Sequence, residues 1–185
     1  MPDSLSFSGE QAELIISADE VQAGIDKLAV QVQPVVDGGN CVLLGVLSGG
    51  MFPLVRLAES LQGDFLIDYC HASRYAGNTE GACLVWQRVP SMDLKGLDVV
   101  IVDDIYDEGI TLMEVAEYCR QNDAASVNTA VLVIKDRERT AANPFPDFDA
   151  GLHVPDRYVF GCGMDKRNRW RHLTSIYALM DTGRS

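Results

Sequence analysis

Short apolar runs alternate along this chain with stretches whose apolar positions fall three and four residues apart. The first such stretch opens at Ser17-Ala-Asp-Glu20, where Ser17 can accept from an open helix N–H and Glu20 can return the bond as a capping box. Val21, Ile25, Leu28, Ala29 and Val32 follow at helical spacing, and Pro34 and Gly38-Gly39 mark the region of the helix end. Residues 41–46 are continuously apolar, the pattern of a strand buried on both faces. Ser48-Gly49-Gly50 predicts a turn, residues 51–61 a helix with Pro53 in its first turn, and residues 65–70 a second strand.

Residues 73–81 are polar and contain glycine, which predicts a mobile loop, with a strand returning over 83–88. Residues 98–102 and 127–134 read as strands around a helix over 111–122, whose buried side takes Met113, Val115, Ala116 and Cys119. Strand–helix–strand alternation predicts an α/β fold with helices on both faces of a mostly parallel sheet. Beyond Lys135 the pattern turns irregular, so residues 136–185 read as an appended lobe of loops and short strands.

The length, 185 residues, suits one domain with a real core. Hydrophobic residues make up 47% and charged residues 23%, which excludes a disordered chain. The formal charge of -12 counts against a nucleic-acid partner, because gripping a phosphate backbone takes a basic face. It leaves room for a small anion held by a few local donors or a cation. Residues 1–10 lack a basic flank followed by an apolar run, so no secretory leader is expected. No stretch nears the roughly 18 apolar residues that span a bilayer. Five scattered cysteines without a C-x-x-C pair point to reduced thiols and a cytoplasmic protein.

The chemistry concentrates in residues 99–112. An apolar strand ends in Asp103-Asp104, Asp107 follows, and Glu108-Gly109-Ile110-Thr111 turns into a helix. A ligand crevice in an open α/β sheet lies beyond the carboxyl ends of the strands, and a helix N-terminus presents unpaired N–H groups to a phosphate. Acids beside such a nest must bind hydroxyls or a cation to escape repulsion. An acidic turn facing water is the plain alternative.

This segment resembles the phosphoribosyl-pyrophosphate motif of type I phosphoribosyltransferases. The stretch from Leu14 to Gln22, the turn Leu47-Ser48-Gly49-Gly50, the loop around Ser73-Arg74-Tyr75 and the tail from Pro155 to Asp165 are similar, in the same order, to hypoxanthine–guanine phosphoribosyltransferases, especially the bacterial branch. The resemblance implies a core over about residues 37–135 and a small hood lobe from residues 1–36 and 136–185. It implies a purine salvage transferase that uses Mg2+, takes phosphoribosyl pyrophosphate and a purine base, and assembles as a homo-dimer or homo-tetramer.

By the same resemblance, Asp103 and Asp104 hold the ribose hydroxyls and help position the metal. Asp107 is the general acid or base at N7 of the purine. Glu108, Gly109, Ile110 and Thr111 wrap the 5-phosphate, with Glu108 standing where many relatives have threonine. Ser48, Gly49 and Arg171 bind pyrophosphate, and a non-proline cis peptide is expected at the Ser48 turn. Lys135 donates to the 6-oxo group, although a surface lysine after a strand is common. Asp156 helps hold the metal, and Ser73, Arg74 and Tyr75 belong to a lid. The basic cluster Lys166, Arg167, Arg169 and Arg171 is read as capturing a polyanionic substrate, against a solvated charged face. The base falls to Phe148 and Ala150: an aromatic should stack on it, yet counting back from Asp156 puts Asp149 at that place and Phe148 one residue early. Asp149 therefore keeps xanthine open as the base. A regulator that senses phosphoribosyl pyrophosphate and binds nucleic acid is the reading from another class, and a catalytically dead paralogue acting by assembly is a third.

Overall fold

The computed structural model describes residues 4–7, 10–74, 84–137 and 145–180. Along the chain run β1 (Ser4–Phe7), β2 (Glu10–Ile16), α1 (Ala18–Val36), β3 (Cys41–Leu47), α2 (Met51–Ser60), β4 (Leu66–Arg74) and β5 (Leu84–Arg88). Then come β6 (Asp98–Tyr106), α3 (Ile110–Gln121), β7 (Ser126–Lys135), β8 (Phe148–Val154), β9 (Val159–Phe160) and β10 (Ile176–Leu179).

Six strands form the main sheet in the order β5-β4-β3-β6-β7-β8, all neighbours parallel except the antiparallel edge β5. Its strands are apolar at successive positions because both faces are covered. Leu43, Val100 and Leu132 point into a cluster with Ile25, Leu28 and Leu57 of α1 and α2. Val42, Leu44 and Ile101 point the other way, against Val115 and Cys119 of α3. Each fully buried Leu, Ile or Val contributes about 1.5–3 kcal/mol. A second, antiparallel sheet in the order β1-β2-β10-β9 gathers strands from both ends of the chain.

The capping box forms: Glu20 N donates to Ser17 Oγ at 3.3 Å and Ser17 N to Glu20 Oε2 at 2.8 Å. Every apolar position predicted for the buried stripe of α1 is buried. The helix runs through Pro34 to Val36, closed by Asp37 N donating to Gln33 O at 2.9 Å and by Gly39 at φ +87°.

Four expectations need correction. The strand predicted over 98–102 continues to Tyr106, because the ten-residue β7 offers ladder partners Val131, Val133 and Ile134 to Asp103, Ile105 and Tyr106. The buried side of α3 is Leu112, Val115, Ala116 and Cys119, whereas Met113 is 39% exposed; the i, i+3, i+4, i+7 stripe starts one residue earlier. The predicted loop from residue 73 begins later, since Ser73 and Arg74 pair with Val85 and Leu84. Finally, β8 lies within the segment read as an appended lobe, yet it is the sixth strand of the main sheet, and α1 packs against it. Among the described residues no helix is long and apolar enough to cross a membrane.

Candidate active site

The carboxyl ends of β3, β6 and β7 open into a cleft of about 410 Å³, roofed by the segment that follows β8. Its floor is the β6–α3 junction. Gly109 takes φ +76° at the N-cap of α3, and a Cβ there would overlap the Tyr106 ring, so glycine alone fits. No side chain caps this helix, which leaves its first N–H groups facing a hollow of about 190 Å³ lined by Asp107, Gly109 and Thr111. An anion is the natural guest there.

The opposite wall is the turn after β3. A cis peptide bond joins Leu47 to Ser48, and Gly49 packs against the Asp104 carboxylate. Gly163 in turn packs on the Gly49 carbonyl. Leu47, Gly49 and Arg171 line the cleft. Arg171 is aimed by two bonds: Nη1 donates to Gly163 O at 2.6 Å, and Nη2 lies 2.7 Å from Asp165 Oδ1.

Asp103 and Asp104 sit inside the strand, with Asp104 N donating to Asp103 Oδ1 at 2.9 Å. Burial raises the pKa of both. The Asp104 charge pushes Asp103 up further, while hydrogen bonds and the Arg171 charge work against the rise at Asp104. The pair is thus short of positive partners.

Asp107 is treated differently. Its Oδ1 lies 2.5 Å from Arg137 Nη1 and its Oδ2 3.3 Å from Lys135 Nζ. Lys135 Nζ and Arg137 Nε each lie 3.2 Å from Asp156 as well, so two acids and two cations close a ring. Partial burial alone would raise the Asp107 pKa, but the two cations outweigh it and hold the carboxyl below the ordinary range.

The structure therefore brings Gly49, Asp103, Asp104, Asp107, Thr111, Lys135 and Arg171 to one cleft, with Ser48 beside Gly49. The smaller hollow adds Glu108, Gly109 and Ile110. Asp156 does not line the cleft and is engaged by Lys135 and Arg137. Ser73 and Arg74 close β4, while Tyr75 lies outside the described residues.

Phe148 and Ala150 are placed elsewhere, which corrects the base-binding assignment. Phe148 pairs with Ala130, five residues before Lys135 and so away from the carboxyl end of the sheet, and its ring packs on the core under α1. Ala150 is 3% exposed in the same core. A β-bulge follows Asp149: Val131 pairs with Asp149 and Val133 with Leu152, so three steps on β8 match two on β7. Gly151 supplies φ +74° at the bulge, and Asp149 Oδ1 accepts from Gly151 N at 2.7 Å.

Among the described residues, the aromatic that lines the cleft is Tyr158, 52% exposed, next to Val159. Its hydroxyl donates to Asp165 O at 2.9 Å. Tyr158, Val159, Asp165 and Arg137 are the residues that sequence reasoning missed. The signal was present in the tail, where an aromatic and an acid stand seven residues apart in the stretch ending at Asp165.

The oxygen donors suit a small hard cation. Among the described residues no three of His, Cys, Asp and Glu converge on one point, so the chain builds no complete cage. Two or three carboxylates facing an open cleft fit Mg2+, which keeps waters and substrate oxygens in its shell.

Comparison with known proteins agrees with this geometry. Residues 17–165 match the phosphoribosyl transferase domain. A hypoxanthine-guanine phosphoribosyltransferase of Streptococcus pneumoniae is 29% identical over 91% of this chain and 93% of its own length. A hypoxanthine-guanine-xanthine phosphoribosyltransferase of Tritrichomonas foetus is 27% identical over 91% of this chain and 92% of its own. The solved structure of a Staphylococcus aureus hypoxanthine phosphoribosyltransferase superimposes with a TM-score of 0.83 at 25% identity, covering 91% of each chain. A cleft at the strand ends, built on an acidic turn and roofed by the tail, and a domain match over most of the chain lead to one conclusion: the protein belongs to the phosphoribosyltransferase family.

Proposed function

We propose that this chain transfers the ribose 5-phosphate of phosphoribosyl pyrophosphate to N9 of hypoxanthine or guanine, releasing pyrophosphate. The observation that carries the proposal is the convergence of a phosphate turn, the adjacent acids Asp103 and Asp104 and a cation–aromatic pair, Lys135 and Tyr158, at one end of the sheet. The turn from Glu108 to Thr111 takes the 5-phosphate and the Gly49 turn with Arg171 takes the pyrophosphate. Asp103 and Asp104 hold the ribose hydroxyls, which relieves the cost of two adjacent acids with raised pKa values. Lys135 donates to the 6-oxo group and the Tyr158 ring covers the base, in the role first sought at Phe148. Asp107, kept ionised by its cations, manages the proton at N7.

Asp165, which lines the cleft, would hold Mg2+ in place of Asp156, with waters and substrate oxygens filling the rest of the shell and Asp103 and Asp104 helping to position it through the ribose hydroxyls. When bound, the metal neutralises pyrophosphate and eases its departure as a leaving group. The chain's own contribution is orientation, which can supply about 7–11 kcal/mol.

The protein is proposed to work in the cytoplasm as a homo-oligomer. The four described cysteines are free and buried, as in a reducing compartment. Met51 and Val55 on α2, the helix that follows the Gly49 turn, and Ile67 on β4 are 44%, 51% and 53% exposed, and such apolar positions suit a second copy. Light scattering in solution measures the assembly, and a monomer at all concentrations would refute it.

The function is tested by incubating the purified protein with phosphoribosyl pyrophosphate, Mg2+ and, separately, hypoxanthine, guanine, xanthine and adenine. Nucleotide and pyrophosphate are measured. Turnover of hypoxanthine or guanine is expected. Turnover of xanthine alone would keep the chemistry and move the substrate. No turnover despite tight binding of phosphoribosyl pyrophosphate would favour a sensor.

A further inference from the structure

Four of the chain's 15 basic residues lie between positions 166 and 171, in a protein of formal charge -12. The structure folds them into a tight hairpin: Lys166 and Arg169 pair across a two-residue turn, with Lys166 N and Arg169 N each bonded to the other's carbonyl at 3.0 Å. Arg167 and Asn168 form the turn at φ 52° and 61°. Such a turn favours Asn or Gly at both positions. Asn168 satisfies that preference, whereas Arg167 carries a long side chain in a backbone region where its Cβ is disfavoured. Of the five described non-glycine residues at positive φ, three are Arg167, Asn168 and Trp170. Strain gathered at one loop beside a site points to what its side chains do.

The four cations divide into two kinds. Lys166 is 5% exposed with its ammonium 5.9 Å from the Trp170 ring centroid, and Arg171 is tied to Asp165 inside the cleft. Arg167 and Arg169 are exposed, and no ion pair forms at either among the described residues. They are nevertheless fixed relative to the cleft, because Asn168 N donates to Asp165 Oδ2 at 2.6 Å while Asp165 Oδ1 holds Arg171.

We propose that Arg167 and Arg169 form an outer capture site for the pyrophosphate of the incoming sugar phosphate, and hand it inward to Arg171. The inference rests on the transferase reading and deepens it by naming where the anionic substrate is first met. A chain of net negative charge repels a polyanion at long range, and two exposed guanidinium groups on a hairpin tied to Asp165 of the cleft create a local path through that field. Their action falls off over a Debye length of about 10 Å at 0.1 M salt, so it is legible in ionic strength. The neutral base gains nothing from them.

The test measures kcat and KM for both substrates from about 0.02 to about 0.3 M ionic strength, in wild type and in the double variant Arg167→Gln/Arg169→Gln. The expected result at low salt is a loss of about tenfold in kcat/KM for phosphoribosyl pyrophosphate, shrinking toward unity at high salt. KM for the base should stay constant, and Arg167→Lys/Arg169→Lys should restore most of the salt slope. A loss of equal size at every ionic strength would mean the hairpin merely braces Asp165, and an unchanged slope would mean the arginines are a solvated face; either overturns the proposal. Inactive wild-type protein would sink the transferase reading instead. Calorimetric titration of inorganic pyrophosphate into the same proteins then decides the capture site alone: equal, salt-independent affinities would overturn it.

Discussion

Gly49 lies so close to the carboxylate of Asp104 that a Cβ there would come within 2.5 Å of Cγ and 2.9 Å of Oδ1. The turn after β3 and the acidic strand are therefore one packed unit. Gly49→Ala is expected to cost about 1–3 kcal/mol as an overpacked contact and to displace the Asp104 carboxylate. Chemical denaturation measures the first effect. Titration with phosphoribosyl pyrophosphate measures the second, and unchanged affinity would separate the two segments functionally.

Replacing Asp107 by Asn removes the proton acceptor and keeps the shape. Turnover should fall by about 10²–10⁴-fold while phosphoribosyl pyrophosphate still binds. Single-turnover kinetics with a binding isotherm checks both halves. Wild-type turnover would end the acid–base role.

Arg137 and Lys135 hold the Asp107 carboxyl below its ordinary pKa. Arg137→Gln removes one of these cations, so the Asp107 pKa should rise toward the ordinary value. The acid limb of the kcat/KM profile then moves to higher pH. A profile that keeps its acid limb in place would show that Asp107 is not the group titrating there.

Tyr158 and Phe148 should respond in opposite ways. Tyr158→Ala removes the cleft's ring and should raise KM for the base, with about 0.5–1.5 kcal/mol lost beyond contact area. Phe148→Ala should lower stability by about 2 kcal/mol, below the range for fully buried rings, and leave KM unchanged. Base KM and denaturation midpoints of the two variants decide it.

Asp103 carries a raised pKa, so the native state binds its proton more tightly than the unfolded chain does. Stability is then lost as pH climbs from the ordinary carboxylate value of about 3.9 through the folded value. Asp103→Asn should unfold at a higher temperature than wild type near pH 7.5, and the gap should narrow as the pH falls toward 4. It should also forfeit binding of phosphoribosyl pyrophosphate. Thermal melts across pH, with and without that ligand, measure both.

Much of this was legible in the chain. Buried parallel strands announce themselves at residues 41–46 and 98–102 because each alternate position meets a different core, and the Ser17 capping box is local chemistry. The acidic turn was legible because strand, acids, glycine and helix are contiguous. The proposed base site was not. Phe148 and Tyr158 are both aromatic residues near an acid, and only the pairing of β8 with β7 shows that the first faces the core. A bulge that uses one extra residue on β8 is invisible to counting, so the register at Asp149 could not be read from the spacing to Asp156. Arg137 reaches Asp107 across 30 residues, a distance no spacing rule spans.

The place of β10 has a consequence for synthesis. The last strand in sequence lies in the interior of its sheet, between β2 and β9, and Leu179 N donates to Tyr158 O at 3.2 Å. The roof's anchor thus leaves the ribosome after every strand of the main sheet. The main sheet can collapse while the chain is still growing, but the wall bearing Tyr158 has no interior neighbour until residues 176–179 emerge. The pairing of β2 with β10 also gives this sheet the longest loop closure among the described strands, which slows its assembly. A nascent chain is expected to gain its core well before it gains a substrate cleft.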